Sequence, residues 1–259
     1  MKVRREQNDR GVRKHLWHPK QMQRKPVPPL VRATDYPLWL LSGFWISVGI
    51  ALAAVVRRLY ALTHPSSSGP LQIANPDAVF ASHAVLTVAH IIPAAIFVLL
   101  AAGVLLRRTD DERLERLFFP FGFITGVTAY LMSAYAVGGW AERSAVLVFN
   151  TWFLFSLGRA YRFQLCGETA RKRDWITRAV GILLGIATTR PVMGVFFATS
   201  SRTHLSPREF FGIAFWIGFS INAALIELWL HSKRRARLYS SRVGSESVPT
   251  AQRVHQANA

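Results

Sequence analysis

Six apolar runs follow a polar segment in this chain. They cover about residues 37–56, 79–106, 117–138, 144–164, 176–198 and 210–230. Each run approaches the roughly 20 residues that a helix needs to cross the hydrocarbon core of a bilayer. None shows the apolar-polar alternation of a membrane-spanning barrel strand. The pattern predicts an all-α fold, an integral membrane bundle of six transmembrane helices.

The basic residues between these runs predict how the bundle lies in the membrane. Residues 1–36 form a basic arm, residues 37–231 the six-helix domain and residues 232–259 a basic tail. Further basic clusters lie after the second run and after the fourth. All of them fall on one side of the membrane, so the positive-inside rule predicts cytoplasmic N- and C-termini. Arg57 and Arg58 are the exception, because they lie at the outer end of the first helix.

Composition supports a membrane protein. The chain is 51% hydrophobic and only 18% charged, although its net charge is +18. A basic chain often binds nucleic acid, but no zinc finger, helix-turn-helix or RNA-binding motif accompanies the charge here. We therefore expect no nucleic-acid partner, a largely disordered arm, and an arm and tail that contact anionic lipids of the bilayer. Cys166 is the single cysteine, which excludes an internal disulfide and a cysteine-ligated zinc site.

Arg190 is the most unusual residue of the apolar runs. It lies inside the fifth run and directly before Pro191. An arginine in a membrane helix costs about 3 kcal/mol on insertion scales and is a functional-site hypothesis by default. At 1.5 Å per residue, Arg190 lies roughly 9 Å below the outer edge of the membrane core. Either its guanidinium reaches outward to the interface, or it binds an anionic or carbonyl-bearing group.

Other polar side chains are predicted near the same depth as Arg190. Helical rise places Tyr130 and Asn150 roughly 10 Å from the outer edge, with His83 at roughly 5 Å and His90 at roughly 15 Å. His83 and His90 are seven residues apart, which predicts one helix face. Pro93 and Pro191 each remove a backbone hydrogen bond near this layer, and two broken turns there could line a polar cavity. The candidate residues for ligand binding or proton relay are therefore His83, His90, Tyr130, Asn150 and Arg190.

A second charged level is predicted near the cytoplasmic edge. Counted along their helices, Arg178 and Glu227 come out at the same depth, about 5 Å above that edge. We expect them to form an ion pair that ties the fifth helix to the sixth. No group of residues in the sequence predicts a metal site.

Several of these residues also carry a family resemblance. His90 opens a long apolar run, Trp175 and Arg178 follow a basic loop, Arg190 lies one helix-length on, and Glu227-Leu228-Trp229 lies in the last helix. This arrangement resembles the bacterial membrane family of unknown function numbered 2306, over roughly residues 37–231. The family's His-Arg-Trp-Leu-Gly-Arg signature is replaced here by residues 112–117. The resemblance implies a multi-pass bundle in a bacterial inner membrane and supplies no reaction.

Three classes of function remain open from the sequence. The first is a binding, transport or proton-relay module for a small anionic or quinone-like molecule. The second is a redox protein with haem b as cofactor, for which His90 is the candidate ligand. The third is a scaffold or assembly factor whose protein partners are unknown. Hydrolase, Walker and dinucleotide motifs are absent, so no particular enzyme class is indicated.

Overall fold

The computed structural model describes residues 36–64, 71–106, 112–203 and 206–257. The basic arm lies outside these residues except for Tyr36. Within them the chain forms eight helices and no strand. Their bounds are α1 Leu38–Thr63, α2 Leu71–Ser82, α3 Ala84–Leu106, α4 Glu112–Ser133, α5 Gly139–Leu165, α6 Thr169–Leu183, α7 Gly185–Thr203 and α8 Pro207–Ala257.

Among the described residues, four helical segments are long and apolar enough to cross a membrane. They are Leu38–Thr63, Ala84–Leu106, Thr169–Thr199 and Arg208–Tyr239. The third of them combines α6 with α7. Helices α4 and α5 carry the other two predicted spans and are not among the four, although both pack inside the same bundle. The all-helical fold with several membrane-capable helices agrees with the sequence pattern.

The second predicted helix is divided at His83, which corrects the prediction of one continuous helix. His83 occupies a turn between α2 and α3. The hydroxyl of Ser82 donates to the carbonyl of Val79 at 2.8 Å, and the hydroxyl of Thr87 donates to the carbonyl of Phe80 at 3.1 Å. These side chains serve carbonyls that backbone N–H groups serve in an uninterrupted helix. The chain can therefore bend here without leaving buried carbonyls unpaired.

The fifth predicted helix is divided as well, at Leu184. Asn222 of α8 lies at this break, where its Nδ2 donates to the carbonyl of Gly181 at 3.1 Å and its Oδ1 accepts from the Thr188 hydroxyl at 2.7 Å. The sequence placed the disturbed turns at the prolines, but Pro93 and Pro191 lie inside α3 and α7. Asn222 thus supplies a hydrogen-bond donor to the Gly181 carbonyl at the break. Because Asn222 belongs to another helix, the sequence of the fifth run does not reveal this contact.

Helix α5 is the centre of the bundle. It contacts α4, α6 and α8, and nine of its residues are buried, including Phe149, Phe153 and Leu157. The stacked rings of Phe97 and Phe118 join this core, with Phe153 edge-on to Phe97. Helix α1 is different, since Val48 is its one buried residue. Helix α1 therefore lies at the side of the bundle and covers the other helices only in part.

Ion pairs identify one end of the bundle, here called the basic end. Lys172 pairs with buried Glu115 at 2.6 Å, and Asp174 pairs with Lys233 at 3.1 Å and Arg237 at 3.4 Å. The Arg173 guanidinium also donates to the carbonyl of Leu105 at 2.7 Å. These contacts join the C-terminal end of α3, the N-terminal ends of α4 and α6, and the middle of α8. The predicted cytoplasmic clusters on these elements thus lie together, apart from Arg107 and Arg108, which are outside the described residues.

The opposite end, here called the far end, holds the C-terminal end of α1 and the turn from α4 to α5. Gly139 begins α5 with a φ of +61°, a backbone conformation that favours glycine. A Cβ on Gly138 would lie 2.7 Å from the backbone nitrogen of Gly212. Two glycines therefore let this turn pack directly against α8, which brings Glu142 in the first turn of α5 into the bundle.

Candidate functional site

A cavity of about 750 Å³ lies in the far-end half of the bundle, here called the far-end cavity. Residues of α1 and of all the helices from α3 to α8 line it, together with Asp77 and Phe80 of α2. Most of the lining is apolar, as in typical sites for small molecules. The polar exceptions decide what the cavity can bind. Among the described residues they are Arg57, Arg58, Asp77, Thr87, His90, Thr125, Ser133, Tyr135, Glu142, Asn150 and Arg190.

Positive charge exceeds negative charge in this lining. The described residues of the lining include three guanidiniums, those of Arg57, Arg58 and Arg190, and two carboxylates, those of Asp77 and Glu142. The Asp77 carboxylate pairs with both of these arginines of α1. It accepts a hydrogen bond from Arg57 at 2.9 Å and another from the Arg58 guanidinium. Arg58 also lies 3.9 Å above the ring of Phe80. Arg57 and Arg58, which contradict the positive-inside pattern, are thus held by Asp77 at this end.

Arg190 lines the same cavity from α7. Among the described residues, no carboxylate lies within ion-pairing distance of its guanidinium. It does interact electrostatically with Glu142, Arg57 and Arg58. Glu142 is buried and accepts a hydrogen bond from the backbone N–H of Gly138. The turn at Gly138 thus carries Glu142 into the cavity that Arg190 lines, without bringing the two side chains to ion-pairing distance.

His90 lines the cavity from α3, and its hydrogen bonds define its tautomer. Its Nδ1 lies 2.9 Å from the Thr128 hydroxyl oxygen. The Thr128 hydroxyl donates its single proton to the Ile124 carbonyl at 2.7 Å, so its oxygen accepts from His90. Neutral His90 therefore carries its proton on Nδ1, by assignment from the network. The ring also has a hydrogen bond with the backbone of Thr125. With the proton on Nδ1, Nε2 is the ring nitrogen that can accept a hydrogen bond on the cavity wall.

Asn150 has a structural contact besides its place in the cavity wall. Its Nδ2 donates to the carbonyl of Gly126 at 2.8 Å, which joins α5 to α4 at a point where both helices are buried. No described residue bonds its Oδ1. Asn150 therefore adds an amide oxygen to the cavity without giving up its link to α4.

Two of the predicted residues do not line the far-end cavity. The His83 ring lies against that of Tyr135, with centroids 3.7 Å apart and the planes tilted by 33°, and its Nδ1 lies 3.0 Å from the Ser82 hydroxyl. Tyr130 faces α5 instead, with its hydroxyl 2.6 Å from that of Thr151. His83 therefore lies beside Tyr135, a residue of the cavity lining, without lining the cavity itself. The structure thus gathers His90, Asn150 and Arg190 and separates His83 and Tyr130 from them.

Arg178 and Glu227 meet near the basic end, away from the cavity. Arg178 donates to both carboxylate oxygens of Glu227, through Nε and, at 2.9 Å, through Nη2. The Arg178 guanidinium also lies 4.2 Å from the ring centroid of Trp175. This contact joins α6 to α8 and is a feature of helix packing.

Ligands for a metal ion or a haem are scarce among the described residues. These residues contain no cluster of three His, Cys, Asp or Glu side chains that could hold a metal ion. His90 is the one histidine in the cavity lining, so a second axial histidine is not supplied by that lining.

The sequence did not single out Arg57, Arg58, Asp77 or Glu142 as site residues. Two features of the sequence could have identified them. Arg57 and Arg58 contradict the positive-inside pattern, and Asp77 and Glu142 lie near the ends of apolar runs on the same side of the membrane.

Comparisons with known proteins complete the description of the site. A family model described as "Predicted membrane protein (DUF2306)" matches residues 87–230, more than half of the chain. The matched region contains His90, Glu142, Asn150 and Arg190, whereas Arg57, Arg58 and Asp77 precede it. Searches of the curated proteins and of the solved structures each found no match.

Proposed function

Because the chain belongs to the DUF2306 family of predicted membrane proteins, we propose that it is a multi-pass membrane protein that binds a small molecule in the far-end cavity. The ligand carries an anionic or carbonyl oxygen, and Arg190 is the group that recognises it. The observation that carries the proposal is an arginine on the wall of a largely apolar cavity with no carboxylate at ion-pairing distance among the described residues. Such a guanidinium gains more from an oxygen ligand than a paired one does.

The remaining polar groups of the cavity complement this role. The three arginines and two carboxylates leave an excess of one positive charge, which favours an anion over a cation. His90 offers an acceptor at Nε2, which suits a hydroxyl of the ligand. The Asn150 Oδ1 offers a second acceptor on α5. A ligand with one acidic or carbonyl oxygen and one hydroxyl would therefore satisfy Arg190 and His90 together.

We also propose six membrane passes with the basic end in the cytoplasm of a bacterial cell. The passes are α1, α3 with α2, α4, α5, α6 with α7, and α8. The positive-inside rule supports this orientation, since the basic clusters of α6 and α8 lie at one end. The same clusters suit contact with anionic lipids of the inner leaflet.

Cys166 provides a direct measurement of this orientation. It is exposed at the C-terminal end of α5, on the side of the basic end, and it is the single cysteine of the chain. A membrane-impermeant maleimide should label it in inverted inner-membrane vesicles and leave it unlabelled in intact spheroplasts. Labelling in intact spheroplasts would reverse the proposed orientation.

Filling the cavity tests the proposed binding function. A Cβ on Gly194, which lines the far-end cavity, would meet no atom within 4 Å, so Gly194→Leu should fold and reduce the free volume. We expect butyl phosphate or a short-chain benzoquinone to raise the melting temperature of the wild-type protein in detergent. Gly194→Leu should abolish that rise, because the added side chain occupies the ligand's space.

Gly158→Leu is the matched control. Gly158 also has no atom within 4 Å of an added Cβ, but it lies on α5 away from the cavity lining. This variant should keep the ligand response. Equal responses in both variants would contradict binding in the far-end cavity. A Soret band in the purified protein would instead support haem binding at His90.

A further inference from the structure

A second, smaller cavity lies between α1 and helices α6, α7 and α8, here called the basic-end groove. Its volume is about 330 Å³, and residues from Tyr36 to Ile50 form its α1 wall. Asn222 and Thr188 are among its polar members, but they bond each other, and Asn222 also bonds the carbonyl of Gly181. Their polar atoms are thus engaged within the protein. The groove is consequently suited to hydrocarbon.

The basic-end groove adjoins the far-end cavity. Ile50 of α1 and Ala187 of α7 line both, so the two spaces share a wall at the middle of the bundle. The groove reaches Thr177, and 13 residues separate Thr177 from Arg190. At 1.5 Å per residue this distance is roughly 20 Å. A molecule held at Arg190 could therefore extend a long chain toward the basic end without leaving the protein.

Aromatic and polar contacts lie at the end of the groove that faces the basic end of the bundle. Tyr36 stacks on Trp229 with ring centroids 5.3 Å apart, and its hydroxyl accepts from Arg173 at 3.3 Å. The upper end of α1 is held by the pairs that its two arginines form with Asp77. Helix α1 is thus fixed at both ends, while Gly43, which lines the groove, leaves open space on its α1 wall. This arrangement keeps a groove of defined length beneath a charged cavity.

We propose that the ligand of the far-end cavity is an anionic amphiphile, with its head at Arg190 and its long apolar chain in the basic-end groove. This inference rests on the proposed function and names the class of its ligand. The positive excess of the far-end cavity selects an anionic head over a neutral one. Hydrocarbon gains little by moving from lipid into an apolar groove, so the head supplies most of the affinity. The chain determines which anions fit and brings them to the site through the membrane.

Obstruction of the groove tests this inference with hexadecyl phosphate as the probe. The protein is placed in phosphatidylcholine nanodiscs, and its melting temperature is followed as the mole fraction of hexadecyl phosphate rises. Gly43→Leu places a side chain in the groove, where an added Cβ meets no atom within 4 Å. We expect this variant to raise the half-saturating mole fraction at least about tenfold, the size of effect that overpacking produces.

Gly49→Leu is the control on the same helix. Gly49 also has open space around an added Cβ, and it lines neither cavity. It should leave binding of hexadecyl phosphate unchanged. Butyl phosphate, added from solution, should bind wild type and Gly43→Leu equally, because its chain does not reach the groove.

The outcomes separate this inference from the proposed function. One outcome is that Gly43→Leu binds hexadecyl phosphate as well as Gly49→Leu does, while butyl phosphate still binds the protein. The inference of an amphiphile with its chain in the groove is then overturned, and the proposed site for a small anion remains. If Gly43→Leu weakens both phosphates equally, the effect is a general disturbance and the inference is overturned as well. If neither phosphate binds the wild-type protein, both proposals fail.

Discussion

Replacing Glu227 by alanine should lower the free energy of unfolding by about 2 to 3 kcal/mol. Arg178 is only 5% exposed, and its Nη1 has no hydrogen-bond partner among the described residues even in the native protein. Loss of Glu227 would remove both of the hydrogen bonds from Arg178 to the carboxylate and leave a buried guanidinium without its counter-ion. The carboxylate side chain is 38% exposed, which keeps the loss below that of a fully buried pair. Thermal or chemical unfolding in detergent measures the difference.

Glu168→Ala is the matched comparison for Glu227→Ala. Glu168 pairs with Arg171 at 3.0 Å, but both side chains are largely exposed and lie three residues apart. Exposed pairs of this kind contribute about 0.5 kcal/mol or less. We expect no resolvable change in stability for this variant. An equally small effect of Glu227→Ala would show that the Arg178–Glu227 contact does not hold α6 to α8.

The helical fold and its membrane character were predictable because lipid leaves few alternatives. A chain in hydrocarbon must satisfy every backbone group internally, so each long apolar run becomes a helix. The breaks at His83 and Leu184 were not predictable in the same way. They depend on hydroxyl and amide side chains, such as those of Thr87 and Asn222, that replace backbone donors at particular carbonyls. Whether such a donor reaches a carbonyl on another helix is a property of packing.

Part of the candidate site was predictable from the sequence, and part was not. Helical rise placed His90, Asn150 and Arg190 within one layer, and the structure has all three in the cavity lining. The same count included Tyr130, because depth along a helix does not say which way a side chain points. Glu142 was not among the candidate residues, since the close approach of its turn to α8 is not visible in the sequence. Rotation about the helix axis and turn packing are therefore the missing information.

Replacing Arg190 by glutamine should weaken binding of butyl phosphate by about 10- to 100-fold. A hydrogen bond to a charged group contributes about 1.5 to 3 kcal/mol, which corresponds to that range. The glutamine side chain would keep an amide donor but lose the charge and the planar fork of the guanidinium. Arg190→Lys should give a smaller loss, because it retains the charge. Titration of butyl phosphate, followed by the melting temperature of each variant, measures the change in apparent affinity.

Arg143→Gln is the control for charge at the same end of the bundle. Arg143 is exposed, lies next to Glu142 in sequence, and rests 5.5 Å from the ring centroid of Trp140 outside the cavity lining. If general positive charge attracted the phosphate, this variant and Arg190→Gln would weaken binding alike, and the proposal would fail. If Arg190 recognises the anion, Arg143→Gln leaves the affinity unchanged. Because both substitutions remove one guanidinium, the difference between them isolates the position of Arg190 in the cavity from its contribution to net charge.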